Sequence, residues 1–98
     1  VSIRYDIRRR ALIELDEIRD YTRASWGAAQ ARRYIAELRK SFAAASLHPS
    51  RYPLIEGRTD GLRRIRSGSH IVVFVAVTGR VEIVRILHER MDIDQQLD

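Results

Sequence analysis

Arg85, His88, Glu89 and Arg90 fall within six residues near the C-terminal end of a 98-residue chain. Together they offer what cleavage of an RNA phosphodiester needs: a base for the 2′-hydroxyl, a cation for the phosphate and an acid for the leaving oxygen. The same residues can equally form a contact surface for a protein, so their types alone leave both uses open. Other chemistries have less support. His48, His70 and His88 come without a single cysteine, which argues against a metal site. The serines have no histidine and acid at a telling spacing, and neither a phosphate-cradling glycine loop nor a dinucleotide fingerprint is present. His70 and His88 sit where strands begin or end, where a hydrogen-bonded structural histidine is the default. No cofactor is expected.

The elements that must position these residues can be read from periodicity. "SIRY" (2 to 5) alternates as a short strand and Asp6 reads as an N-cap. Ile7, Ala11, Leu15, Ile18 and Thr22 then recur at steps of three and four, one stripe of a helix that stops at Gly27. Asp16, Glu17 and Asp20 fall on its solvated side. A second stripe, Ala31, Ile35, Leu38, Phe42 and Ala45, ends before Pro49, so two helices of about 18 residues fold back on each other. They are too long and too evenly amphipathic for a DNA-reading helix-turn-helix pair. Residues 47 to 61 hold both prolines and two glycines and read as a loop. Strands over 62 to 66, 69 to 77 and 80 to 88 follow, joined at Ser67-Gly68 and Thr78-Gly79 as an antiparallel meander. "MDIDQQLD" reads as a weak helical turn or a loose tail. The expectation is one α+β domain over residues 1 to 98, with 89 to 98 as tail. Its helical hairpin packs on one face of a three- to four-stranded antiparallel sheet.

Composition narrows the setting. With no cysteine, no apolar run near the roughly 20 residues of a membrane span and no signal-peptide core at its start, the chain is expected to be soluble and cytoplasmic. The formal charge is +5, carried by seventeen arginines and Lys40 alone. A GC-rich coding sequence produces such a skew, yet arginine's planar fork also suits carboxylate and phosphate partners. Residues 61 to 90 hold six arginines against Glu82 and Glu89, while the last eight residues add three aspartates and no base. Arg64 and Arg66 share one side of their strand and Arg63 takes the other, as a solvated edge or as a basic rim for a partner.

The middle strand, "SHIVVFVAV", is apolar on both sides: Ile71, Val73, Val75 and Val77 on one, Val72, Phe74 and Ala76 on the other. One helical layer covers one face of a sheet. The second face is therefore expected to lie open as an apolar, arginine-rimmed binding surface, unless residues 89 to 98 fold back over it. Trp26 has two readings, a packing residue that pins the helix junction or an exposed anchor for a partner.

"SWGAAQARRYIAEL", "GLRRIRSGSHIVVF" and "VEIVRILHERMD" resemble the ParE branch of the ParE/RelE toxin superfamily, from about Tyr5 to Leu97. The resemblance lies in a combination: Trp26-Gly27, Gln30-Ala31, Tyr34, Gly61, Arg63, Gly68-Ser69-His70, Arg85, Leu87, His88, Arg90, Met91 and Asp92. After Phe74 this chain has Val75 and Ala76 where relatives often have a tyrosine and an arginine. The resemblance implies a toxin that inhibits DNA gyrase by contact, without catalysis. A ParD-like antitoxin of ribbon-helix-helix type, with an acidic, partly disordered arm, would hold it silent. It further implies gyrase contacts at Arg85, His88, Arg90, Met91 and Asp92, and antitoxin contacts at Trp26, Tyr34, Arg63, Arg64, Arg66, Val73 and Val75.

The RelE side of the superfamily cuts messenger RNA. Cutting relatives usually place a tyrosine, or a histidine beside a tyrosine, near the end of the chain, and an arginine just inside the middle strand. The corresponding positions here look like Glu89-Arg90 and Ile71, and no tyrosine follows Tyr52. An RNA-cleaving toxin is therefore the alternative reading. A basic nucleic-acid-binding module is the third, weakened because Phe74 is the sole aromatic on the three strands of the meander.

Overall fold

A computed structural model of the chain describes residues 4–97. The elements run β1 (Tyr5–Ile7), α1 (Arg9–Trp26), α2 (Ala28–Leu47), β2 (Arg63–Ser67), β3 (His70–Val77), β4 (Arg80–His88) and α3 (Ile93–Gln96). The four strands form one sheet in the order β1-β4-β3-β2. The α+β class and the hairpin-on-sheet arrangement are as expected.

Several local expectations differ. Of the strand expected over 2 to 5, Ser2 and Ile3 lie outside the described residues, and the observed strand is Tyr5–Ile7. Ile7 therefore belongs to β1 and not to the helix stripe. Asp6 is no N-cap: Arg8 holds that position without a side-chain cap, and Asp6 pairs with Arg80 at 2.7 Å. The sheet is mixed, because β1 runs parallel to β4. The opposite edge, β2, is already met by the preceding loop, where Arg64 N–H donates to Pro53 C=O at 3.1 Å. The free edge of β4 takes the first strand instead, through Val81 N–H to Arg4 C=O and Arg8 N–H to Ile83 C=O. The first hairpin turn is Gly68-Ser69, one residue later than expected, and Ser67 pairs with His70 across it.

The two faces of β3 separate as the alternation required. Val72 and Phe74 join Leu15, Leu38, Phe42 and Ile83 in a core beneath the helices, where Tyr5 and Tyr52 meet Phe42 and Phe74 edge-on. The second face is not open. Val73 and Leu87 are fully buried there, under Ile55 and Leu62 from the loop and Ile93 and Leu97 from the tail. The uncovered-face expectation fails because Ile55 from the segment read as loop, Leu62 from the start of the strand expected over 62 to 66, and Ile93 and Leu97 from a tail that folds back, the stated alternative, together cover that face. Asp92 fixes the tail's turn by accepting from Asp94 N–H at 3.0 Å.

A bulge makes β4 compatible with this double burial. Val73 pairs with Arg85 and Phe74 with Ile83, so Val84 is the extra residue. In an unbroken strand Arg85 would share a face with Val81 and Ile83, which are buried in the helix-side core. The extra residue shifts the phase. Ile86 enters that core, Val84 and Leu87 serve the other, and Arg85 is turned aside.

A single residue, Gly27, joins α1 to α2 and caps both: its N–H donates to Arg23 C=O and its C=O accepts from Ala31 N–H. Its φ of 93° and ψ of 167° lie in a region essentially restricted to glycine. A Cβ there would meet nothing within 4 Å, so any penalty comes from the backbone. Gly27→Ala is expected to cost about 1–3 kcal/mol of unfolding free energy, measured by urea denaturation. An unchanged midpoint would mean that the junction relaxes freely.

Candidate interaction groove beside the free edge of the sheet

Because β1 pairs only with residues 81 to 83, the remainder of β4 has no strand neighbour on that side. Glu14, on the sheet-facing side of α1, takes the strand's place. Its Oε1 accepts from Ile86 N–H at 2.8 Å, and its Oε2 accepts from Arg85 Nε at 3.0 Å and Nη2 at 2.8 Å. The Arg85 Nη1 then donates to Gln96 C=O at 2.5 Å. One carboxylate thus ties α1, the bulged strand and the tail together, with both side chains of the pair largely buried.

Next to this node lies an open groove of about 940 Å³. Its floor includes Ile18, Thr22 and Ile86, and its rim carries Tyr21, Trp26 and Met91. Trp26 is 72% exposed, Tyr21 71% and Met91 45%. Of the two readings of Trp26, the structure has the exposed one. Such aromatics gain more from a partner than from water, and their two χ angles lose little entropy on binding.

The far wall of the groove is a polar relay. Ser69 N–H donates to the Tyr34 hydroxyl at 3.0 Å, and that hydroxyl shares a hydrogen bond of 2.6 Å with His70 Nδ1. His70 stacks edge-on against His88 at 5.3 Å, and His88 Nδ1 accepts from Arg90 N–H at 3.1 Å. Both histidines have the structural bonds expected of them. Gly68 keeps the relay closed, since a Cβ there would lie 2.7 Å from the Tyr34 hydroxyl.

The ParE toxin model, describing the toxin of the type II toxin–antitoxin system parDE, matches residues 5–93. The chain belongs to the ParE toxin family. Toxin ParE1 of Caulobacter vibrioides is 42% identical over 88 residues, 90% of this chain and 91% of that protein. Toxin ParE1 of Mycobacterium tuberculosis is 36% identical over 99% of this chain and 100% of its own length. A solved structure titled "Chromosomal ParDE TA system from P. aeruginosa" matches with a TM-score of 0.73, covering 88% of this chain and 95% of that one. At 16% identity that likeness shows the fold.

In this ParE-family chain the groove brings together Trp26, Tyr34, Arg85, His88, Arg90 and Met91, members of both residue sets singled out in the sequence. Asp92 lies just beyond, beside Arg64. The others are elsewhere. Arg63 donates to Tyr52 C=O at 2.7 Å, Arg66 pairs with Glu89, Val75 is half-buried against the second core and Val73 is sealed within it. Sequence reasoning missed Glu14 and Tyr21. Glu14 had a signal, an acid at a buried-stripe position one residue before Leu15; Tyr21 had one too, a large aromatic off the stripe.

Two outcomes follow. Glu14→Ala leaves a mostly buried guanidinium and a strand N–H without their acceptor, and should cost about 3 kcal/mol. Glu14→Gln, which keeps an acceptor for Ile86, should cost less, and both should speed amide exchange at Gln96 and Leu97. Burial, with His88 adding to it, lowers the His70 pKa against the opposing pull of Glu89 and Glu14. Stability is then full above the unfolded pKa of about 6.5 and declines as pH falls through it toward the folded value. His70→Asn, whose amide can replace Nδ1 in that bond, should flatten the fall in Tm between about pH 7 and pH 5; identical profiles would remove His70 from that role.

Proposed function

We propose that this chain is the toxin of a toxin–antitoxin pair, that it inhibits DNA gyrase through protein contact, and that a ParD-like antitoxin neutralises it. Membership of the ParE family supports the toxin reading, and the observation that carries the contact mechanism is the groove edged by exposed Trp26, Tyr21 and Met91. The covered second sheet face withdraws the support expected from an open apolar sheet. The groove replaces it.

Residues suited in type to RNA cleavage are engaged in structure. Arg85 is held by Glu14, Glu89 by Arg66, and His88 Nδ1 by a backbone N–H. This supports a non-catalytic toxin. Within it, His88, Arg90, Met91 and Asp92 are proposed to contact gyrase, with Arg85 as a positioning residue that acts through the tail. Trp26 and Tyr34, with the basic strand residues Arg63, Arg64 and Arg66 and the half-buried Val75, are proposed to serve the antitoxin. Val73 is not available at the surface.

Purified protein added to gyrase, ATP and relaxed plasmid should block supercoiling or trap broken DNA. Replacing Arg90 and Met91 together by alanine should weaken this by about tenfold or more while leaving Tm unchanged, because both side chains are exposed at the rim of the groove. Unaltered supercoiling at saturating protein, with messenger RNA fragments on translating ribosomes, would replace the proposal with RNA cleavage.

A further inference from the structure

The groove runs beside a stretch of β4 whose main chain is itself incompletely matched. Ile86 N–H points away from β3, since it donates to Glu14 of α1 at 2.8 Å. Main-chain directions alternate along a strand, so Leu87 bonds toward β3, while Ile86 and His88 present their groups outward, past the point at Ile83 where β1 stops pairing. Glu89 keeps the same phase by turning its N–H back to Ser69 C=O at 2.8 Å. Of the outward groups, Ile86 N–H is taken by Glu14, and His88 C=O accepts from Met91 N–H at 2.9 Å. Ile86 C=O and His88 N–H remain, and no other segment among the described residues supplies them a partner.

We propose that this acceptor and donor receive an extended segment of a protein partner, which joins the sheet as a parallel strand in line with β1. The direction follows from which groups are left. An antiparallel neighbour bonds through both the N–H and the C=O of one residue, and neither Ile86 nor His88 has both free. A parallel neighbour places one residue opposite Leu87, donating to the C=O of the residue before it and accepting from the N–H of the residue after it. Ile86 C=O and His88 N–H are that combination. β1 uses the same slanted pattern one step earlier, where Arg8 N–H donates to Ile83 C=O at 2.9 Å.

The incoming residue is held by main-chain bonds that ask nothing of its side chain, so its neighbours supply the selectivity. The residues on either side of it share a sheet face with Ile86 and His88, over the groove floor of Ile18 and Thr22, and are suited by apolar side chains. Running parallel to β4, the segment heads for the turn after His88, where Arg90 is exposed and has no ion-pair partner among the described residues. A carboxylate a few residues beyond the clamped one meets that guanidinium. A helix cannot make the clamp, because its own N–H and C=O groups are spent within it. The proposal rests on the gyrase-contact reading of the groove for the identity of the partner, and states how that partner is held.

The first probe is an acetylated peptide of roughly seven residues, alternating valine and threonine and ending in two glutamates, titrated to millimolar concentration and followed in proton–nitrogen correlation spectra of the full chain. Binding should move the His88 amide proton downfield and slow its exchange by about tenfold or more, while the Ile86 amide, already bonded to Glu14, stays in place. A lysine-ended peptide should bind about threefold more weakly or worse, a difference lost in Arg90→Ala. The second probe is a chemically synthesised full chain with N-methyl-His88. It lacks the donor and carries a methyl group on the edge, a change tolerated as an edge proline is, because the N–H faces outward. It should keep the parent's Tm, show no response of its Leu87 and Arg90 amides to the peptide, and inhibit gyrase supercoiling about tenfold or more weakly. Should its Tm fall, the peptide's effect on the unmodified chain decides. A His88 amide indifferent to saturating peptide, or an N-methyl form of unchanged Tm that responds and inhibits as the parent does, would overturn the proposal. Gyrase inhibition by the parent without any peptide response removes strand addition alone; peptide response without gyrase inhibition removes the gyrase reading alone.

Discussion

The Glu14 carboxylate decides how three parts of this chain stay together. A strand that loses its neighbour after residue 83 leaves an edge N–H to be satisfied, and a bulge has put an arginine beside it. Each group alone is costly to bury: an N–H without an acceptor, a guanidinium without a counterion, a carboxylate without donors. Together they satisfy one another, and the guanidinium has a further N–H to spend on the Gln96 carbonyl. The arrangement fixes the angle of α1 over the sheet and the return of the tail in one constellation. A hydrophobic replacement would fill the volume but leave Ile86 N–H and Gln96 C=O unmatched, so specificity of position is the service the pair performs.

The same shortness of β1 that demands Glu14 also creates the groove. A longer first strand would pair with β4 to its end and occupy the space that Ile86, His88 and Ile18 now border. The chain leaves a gap in the helix–sheet wall at the one place where α1 carries its off-stripe aromatics. Tyr34 and His70 set the far wall, and the positive-φ Gly68 lets the turn approach them closely. Rigid walls and exposed anchors are the combination that a protein contact site uses: the scaffold's entropy is already spent in folding, and only the exposed side chains remain to be ordered.

Much of the architecture was legible because its causes are local. Ala11, Leu15, Ile18 and Thr22 repeat at helical spacing, Gly27 breaks it, and Thr78-Gly79 turns a hairpin, all within a few residues of one another. What was not legible depends on contacts between distant segments. Nothing local in Tyr5–Ile7 specifies a parallel partner; that is settled by which sheet edge the loop at Pro53 leaves free. Ile55, Leu62, Ile93 and Leu97 are four separated apolar residues in polar stretches, with no period to mark them, and they close the second face only when assembled. The bulge at Val84 breaks the period-two pattern of "VEIVRIL", so alternation counted from Val81 and Ile83 puts Arg85 in the helix-side core, where Ile86 in fact lies. For the groove, Trp26, Tyr34, His88, Arg90 and Met91 were named from the resemblance, whereas their convergence needed the fold.

Sealing both sheet faces changes where recognition can occur in a chain of this size. A domain near 100 residues has one modest core's worth of apolar surface to bury, and here the sheet uses it on both sides. What remains for partners is the flanks of the helical hairpin, where α1 divides two surfaces of different character. On one side stands an aromatic groove backed by a tyrosine–histidine relay, on the other an arginine-lined seam with an apolar floor. These favour different occupants, the first selecting by shape and buried area, the second by charge and spacing. They are also coupled unequally to the rest of the molecule. The groove shares Glu14, Arg85 and Gln96 with the tail, so a ligand that disturbs the node would be felt across the second core. The seam touches only the two helices, and a partner seated there acts on the groove only through the rigid body of α1.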